Sequence, residues 1–213
     1  MFDCQKYKNI KDFIKKTRKS TKIISISKNQ SKESVEQAIS CGVRIFGENR
    51  VQEARKKFAD IKTVGEIQLH LTGPLQTNKT KEALEIFDVF HTLDREKLLR
   101  KFLEHKNLIK NKHFFIQVNT GKEESKSGIY PEDVENFLKL CYDLGLNNIL
   151  GLMCIPPIHE DSKKHFMLLQ QINKNLGLSS LSIGMSGDYK LALEFNPAYI
   201  RLGTIIFGKR NES

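Results

Sequence analysis

The residue best placed to do covalent chemistry in this 213-residue chain is Lys28. It closes an alternating run, Ile24-Ser25-Ile26-Ser27, and shares parity with Ile24 and Ile26. If those isoleucines fill an interior, Lys28 points the same way at its rim. Position alone leaves two readings open: the side chain snorkels to water, or its amine is held to form a Schiff base with an aldehyde. Two glycine-bearing segments far along the chain bear on that choice. Gly184-Met185-Ser186-Gly187 follows a short apolar run, and Arg201-Leu202-Gly203-Thr204 closes another. Glycine lets a backbone approach an anion and Ser186 and Thr204 add hydroxyl donors, so the pair suits a phosphate. Each segment by itself has the composition of an ordinary turn.

Those residues can meet only if the fold gathers strand ends. Short β-branched runs alternate with charged stretches of 3.6 periodicity, the pattern of βα units on a parallel sheet. The strands are expected at 22–27, 43–46, 67–71, 87–91, 113–118, 149–153, 180–183 and 198–202, with helices at 31–41, 49–59, 78–86, 94–109, 131–144, 160–175 and 187–194 between them. Ser31, Asp94, Pro131 and Asp161 mark helix starts, and Gly42 and Gly145 mark ends. The count predicts an α/β fold, a single-domain (β/α)8 TIM barrel over residues 22–213, preceded by a basic amphipathic helix within residues 1–21. Ile10, Phe13 and Ile14 form the stripe expected to pack that helix on the barrel base. Barrel chemistry sits at the C-terminal ends of strands, and the loops after strands seven and eight commonly hold a phosphate. An aldehyde-seeking amine on strand one beside such a cradle describes pyridoxal 5′-phosphate (PLP).

Composition bounds the alternatives. The net charge of +10 invites a nucleic-acid reading, but +8 of it lies in residues 1–32, which hold ten basic side chains, Arg18 among them, against Asp3 and Asp12. The rest is near neutral, so a solvent-facing helix is preferred to an RNA-binding or lipid-binding one. No apolar run is long enough for a membrane span or a secretory signal, which predicts a cytoplasmic protein. Cys4, Cys41, Cys141 and Cys154 are scattered and read as reduced core thiols, with no metal expected. Lys56-Lys57 and Lys163-Lys164 read as solvated helix faces. His70 and His91 end strands and read as structural or supporting groups before catalytic ones, and His159 and His165 are poorly spaced for metal.

Motifs along nearly the whole chain, from Lys22 to Arg210, then sharpen the picture. They include Ser25-Ile26-Ser27-Lys28, Phe46-Gly47-Glu48-Asn49 with Val51-Gln52-Glu53, His70-Leu71-Thr72-Gly73-Pro74-Leu75-Gln76-Thr77-Asn78-Lys79, Ser125-Lys126-Ser127-Gly128, and Arg201-Leu202-Gly203-Thr204 through Gly208. With these in order, the chain resembles the pyridoxal phosphate homeostasis proteins, single-domain relatives of the alanine racemase barrel. The resemblance implies that Lys28 is the Schiff-base lysine, that Gly184, Ser186, Gly203 and Thr204 surround the phosphate, that Arg201 faces the pyridine nitrogen and that Asn49 lies near the ring. Lys126 matches a second lysine of the family, a transfer or secondary position, and His70 is kept beside it as a secondary candidate. Departures stand at Asn29, Arg50, Ile183 and Asn196-Pro197-Ala198, the last expected to bear on the strand-eight backbone.

A pyridine nitrogen facing a guanidinium resists protonation, which makes the ring a poor electron sink. Racemases with such an arginine use, by resemblance, a second base from another domain, and none is expected in a chain that stops ten residues after Gly203. The expectation is therefore a monomeric PLP carrier acting in cofactor homeostasis, with no catalytic residue and PLP-dependent apoenzymes as partners. A small amino-acid racemase and a nucleic-acid binder are the alternatives.

Overall fold

Eight parallel strands close on one another in chain order: β1 (Lys22–Ile26), β2 (Ile45–Glu48), β3 (Gln68–Leu71), β4 (Val89–Leu93), β5 (His113–Val118), β6 (Ile149–Cys154), β7 (Ser180–Ser182) and β8 (Tyr199–Leu202). β8 returns to β1 with Lys22 opposite Tyr199 and Ser25 opposite Leu202. This computed structural model describes residues 1–17, 19–61 and 67–208; Arg18 and Arg210 lie outside the described residues. The expected (β/α)8 barrel is thus the observed one.

Strand parity sorts the core into two parts. Ile24, Val89, Phe115, Met153 and Tyr199 form an inner cluster with Ile26 against it, while a larger cluster fills the layer between strands and helices. That layer is closed by α1 (Cys4–Lys16), α2 (Lys32–Ser40), α3 (Val51–Phe58), α4 (Thr80–Ile86), α5 (Glu96–Leu103), α6 (Lys106–Ile109), α7 (Val134–Asp143), α8 (Ser162–Asn175), α9 (Tyr189–Ala192) and α10 (Thr204–Phe207). Ser31 and Asp161 cap as expected, accepting from the amides of Ser34 and Lys163 at 3.3 and 3.0 Å.

Several boundaries differ from expectation for local reasons. β2 starts two residues late because the Val43 amide still bonds the Ala38 carbonyl and the Arg44 guanidinium caps Ile39 and Val43 carbonyls. The single helix expected over 94–109 is two, since His105 leaves helical geometry at φ −115° and ψ 49°. Asp94 does not cap it: Arg95 holds the cap position and pairs with the Asp94 carboxylate. In α1 the buried stripe is Tyr7, Ile10 and Ile14, and Phe13 is exposed. The helix is fastened by Phe2 on the Phe207 ring and by the Asp3 amide on the Ile206 carbonyl at 2.7 Å.

The cysteine expectation fails for one pair. Cys4, which opens α1, and Cys41, which caps α2, form a disulfide, because the docking of α1 brings together residues 37 apart in sequence. Cys141 and Cys154 are free and buried, and burial pushes both thiols up to about 12.

Candidate cofactor site

Lys28 stands half-buried in the turn after β1, and both of its chain neighbours are pinned. Lys57 of α3 is only 7% exposed; its Nζ donates to the Ser27 carbonyl at 2.6 Å, to Glu48 Oε1 at 2.7 Å and to Glu53 Oε1 at 2.9 Å. Ser27 Oγ donates to the same Glu48 oxygen at 2.7 Å, and the Asn29 amide donates to Glu53 Oε1 at 2.6 Å. Asn29 is left-handed at φ 59°, a conformation that asparagine tolerates better than most residues. One buried ammonium and two carboxylates therefore fix the backbone on each side of Lys28. Burial pushes the Glu48 carboxyl up, opposed by the Lys57 charge and by hydrogen bonds from Lys57 and Ser27. The solvated reading of Lys56-Lys57 holds for Lys56 and is wrong for Lys57. A signal was present in the sequence: Glu53 and Lys57 have the i, i+4 spacing of a helical ion pair.

The loops after β7 and β8 are tied to each other and to β1. The Arg201 amide donates to the Gly184 carbonyl at 2.9 Å, and Ser186 Oγ accepts from the amides of Gly203 and Ile205 at 3.3 and 3.4 Å. Gly184 has φ +88°, and a Cβ there would lie 2.5 Å from that of Ala192. No other residue fits the turn without moving α9. At Gly203 a Cβ would lie 3.5 Å from Ile26 Cβ, which places this loop against the strand leading to Lys28. Asp188 closes the β7 loop, accepting from the Met185 amide at 2.6 Å and from Ser162 Oγ at 3.0 Å. Asn196-Pro197-Ala198 enters β8 from its other end, and Ala198 keeps bonds of 2.9 Å to both Leu181 and Lys22. The β1–β8 register runs unbroken from Tyr199 to Leu202, so the expected disturbance does not reach Arg201.

Arg201 is a buried cation among neutral acceptors. NH1 donates to the carbonyl and Oγ of Ser182, both at 2.8 Å, and NH2 donates to the Cys154 carbonyl at 2.8 Å. No carboxylate pairs with it among the described residues. Burial pulls its pKa down, with Cys154 and Asp188 acting the other way. Two of its five N–H groups remain for a further acceptor, and a buried guanidinium without an anionic partner favours a ligand that brings negative charge. A phosphorylated pyridine aldehyde supplies the charge, an acceptor nitrogen and a carbonyl for Lys28, so the donor set fits PLP.

The remaining expected residues divide. Asn49, at the end of β2, receives a hydrogen bond from Thr72 Oγ1 at 3.1 Å and packs so closely on Gly73 that a Cβ there would lie 2.7 Å from its own. Lys126 is exposed on the loop after β5 and lines a groove shared with Asn49, Arg50, Gln76 and Arg95. Lys28, Gly184, Ser186, Arg201, Gly203 and Thr204 thus share the β1–β7–β8 sector, Asn49 borders it, and Lys126 stands apart. His70 and His91 are fully buried in the barrel interior and do not reach the mouth.

A closed barrel with a lysine at the end of β1 and an arginine on β8 defines the class of alanine-racemase-like barrels. The family model for the alanine racemase N-terminal domain matches residues 5–211. Within that class the chain belongs to the family of pyridoxal phosphate homeostasis proteins. It is 34% identical over 201 residues to the pyridoxal phosphate homeostasis protein of Aquifex aeolicus strain VF5, covering 89% of this chain and 87% of that one. The protein of the same name from Vibrio cholerae serotype O1 is 36% identical over 210 residues, covering 93% and 89%. Among solved structures, PipY of Synechococcus elongatus PCC7942 with PLP bound superposes with a TM-score of 0.80 at 31% identity, covering 89% of this chain and 93% of that one. No helix among the described residues is long and apolar enough to cross a membrane.

Proposed function

We propose that this chain binds PLP reversibly through Lys28 and serves intracellular PLP homeostasis, passing the cofactor to apoenzymes as a cytoplasmic monomer with little or no turnover. The observation that carries the reading is one barrel sector holding a clamped lysine, two interlocked glycine-bearing loops and an arginine with no carboxylate partner among the described residues. The family relationship and the PLP-bound PipY neighbour support it. PLP, when bound, supplies an aldehyde that condenses with an amine and a ring able to withdraw electrons once its nitrogen is protonated.

Each residue then has a defined task. The Lys57 cluster holds Ser27 and Asn29 so that the Lys28 amine faces the loops of β7 and β8. Ser186, Thr204 and the backbone at Gly184 and Gly203 receive the phosphate, and Asn49 borders the ring. Arg201 holds a positive charge where the ring nitrogen would take a proton, which disfavours amino-acid chemistry and favours simple holding.

Borohydride reduction with PLP should fix one cofactor per chain at Lys28, read by peptide mass, and Lys28→Ala should abolish both the fixation and the visible absorbance. Absence of bound cofactor at saturating PLP defeats the reading. Exchange of amino-acid α-protons with deuterated solvent above the free-PLP rate points instead to the racemase alternative.

A further inference from the structure

The interior beneath Arg201 holds two histidines that the cofactor reading leaves without a task. Arg201 NH1 donates to Ser182 Oγ, Ser182 Oγ lies 3.0 Å from His91 Nδ1, and His91 Nε2 lies 2.8 Å from His70 Nδ1. The rings are locked by packing. His91 stacks on Phe115 at 4.7 Å and on His70 at 5.0 Å, and Tyr199 meets His70 edge-on at 4.9 Å. Both imidazoles are neutral. Burial, reinforced by the charges of Lys22 and His113, lowers His70 to about 3, and burial with His70 and Arg201 holds His91 well below its usual range.

Each neutral imidazole donates through one ring nitrogen and accepts through the other, so the two rings and Ser182 can align as one directed chain. In the sense that aims lone pairs at Arg201, Ser182 Oγ accepts from Arg201 and gives its hydrogen to His91 Nδ1. His91 then carries its proton on Nε2 and donates to His70 Nδ1. His70 must carry its proton on Nε2, which has no hydrogen-bond partner among the described residues. Every lone pair in the series faces Arg201 and every proton faces away. Aligned hydrogen bonds polarise one another, so their negative ends stabilise the guanidinium without cancelling its net charge as a carboxylate would.

We propose that Ser182, His91 and His70 form a one-directional relay of positioning residues that orients Arg201 and sustains its charge toward the ring nitrogen of the cofactor. This rests on the PLP reading and deepens it. The relay explains how a cation stays buried here with no carboxylate bonded to it among the described residues.

The test is the NMR resonance of the ring nitrogen in isotopically labelled PLP bound to the full chain, in the unaltered protein, in Ser182→Ala and in His91→Phe. Ser182→Ala deletes one oxygen, and His91→Phe keeps the ring stack on Phe115. In both variants the resonance should move away from the position of a charge-assisted hydrogen bond, while borohydride still fixes one cofactor at Lys28. An identical resonance in all three chains overturns the relay and leaves the PLP reading standing. Failure of the unaltered chain to load PLP overturns both. If His91→Phe does not fold, Ser182→Ala alone decides.

Discussion

The two cations at the barrel mouth are supported in opposite ways. Lys28 is positioned by charge: a buried ammonium on Lys57 and two carboxylates grip the chain on either side of it. Arg201 is positioned by neutral groups, two carbonyls and a hydroxyl backed by histidines. The difference suits the tasks proposed for them. A reacting amine needs a fixed backbone, and here the charges that fix it pair with one another on the flanking residues. A guanidinium that must keep its full charge toward a ligand is better held by dipoles than by an acid.

Breaking the ionic support should have the largest effect. Lys57→Met leaves Glu48, which is fully buried, facing no cation, and should cost about 3–5 kcal/mol by urea unfolding, together with a loss of cofactor fixation at Lys28. Adding Glu48→Gln should recover most of that loss, because the uncompensated charge is gone. Equal losses in the single and double variants would show that Lys57 acts through packing alone.

Acidification should move the two supports in opposite directions. His70 is lowered to about 3 in the folded chain, so between that value and the ordinary histidine range the unfolded chain binds a proton that the folded one refuses. Stability is lost as pH falls, and His70 accounts for about 2 kcal/mol between pH 7 and pH 5. Glu48 is raised, so the folded chain takes its proton before the unfolded one, and stability is gained as pH falls through the folded value. Urea unfolding followed across the acid range should therefore show a flatter dependence in His70→Phe and a steeper loss on acidification in Glu48→Gln. The opposite ordering would remove the distinction between the supports.

The smallest effect is expected at Lys126. Its amine is exposed and apart from the β1–β7–β8 sector, so Lys126→Ala should leave one PLP fixed at Lys28 and an unchanged unfolding midpoint. A halved stoichiometry would give the groove beside Asn49 a cofactor of its own.

Much of this arrangement is legible along the chain. Alternation in Ile24-Ser25-Ile26-Ser27 places Lys28 at a strand end, and the glycine-bearing segments at 184–187 and 201–204 mark the proposed cradle, because those features depend on neighbours in sequence. The supports are another matter. Lys57 reads as half of a solvated pair because its ammonium meets the Ser27 carbonyl across 30 residues and Glu48 across nine. Ser182 reads as an ordinary strand residue until β4 brings His91 to it across 91 residues. The disulfide between Cys4 and Cys41 is hidden in the same way.

The sequence by itself determined the number of strands and placed the glycine-bearing segments and Lys28 at strand ends, because periodicity and turn chemistry are local properties of the chain. Only the tertiary structure decided how Lys28 and Arg201 are held. Burial turns a surface-looking lysine into a clamp and two histidines into neutral dipoles, and burial is a property of the closed barrel that no window of residues contains.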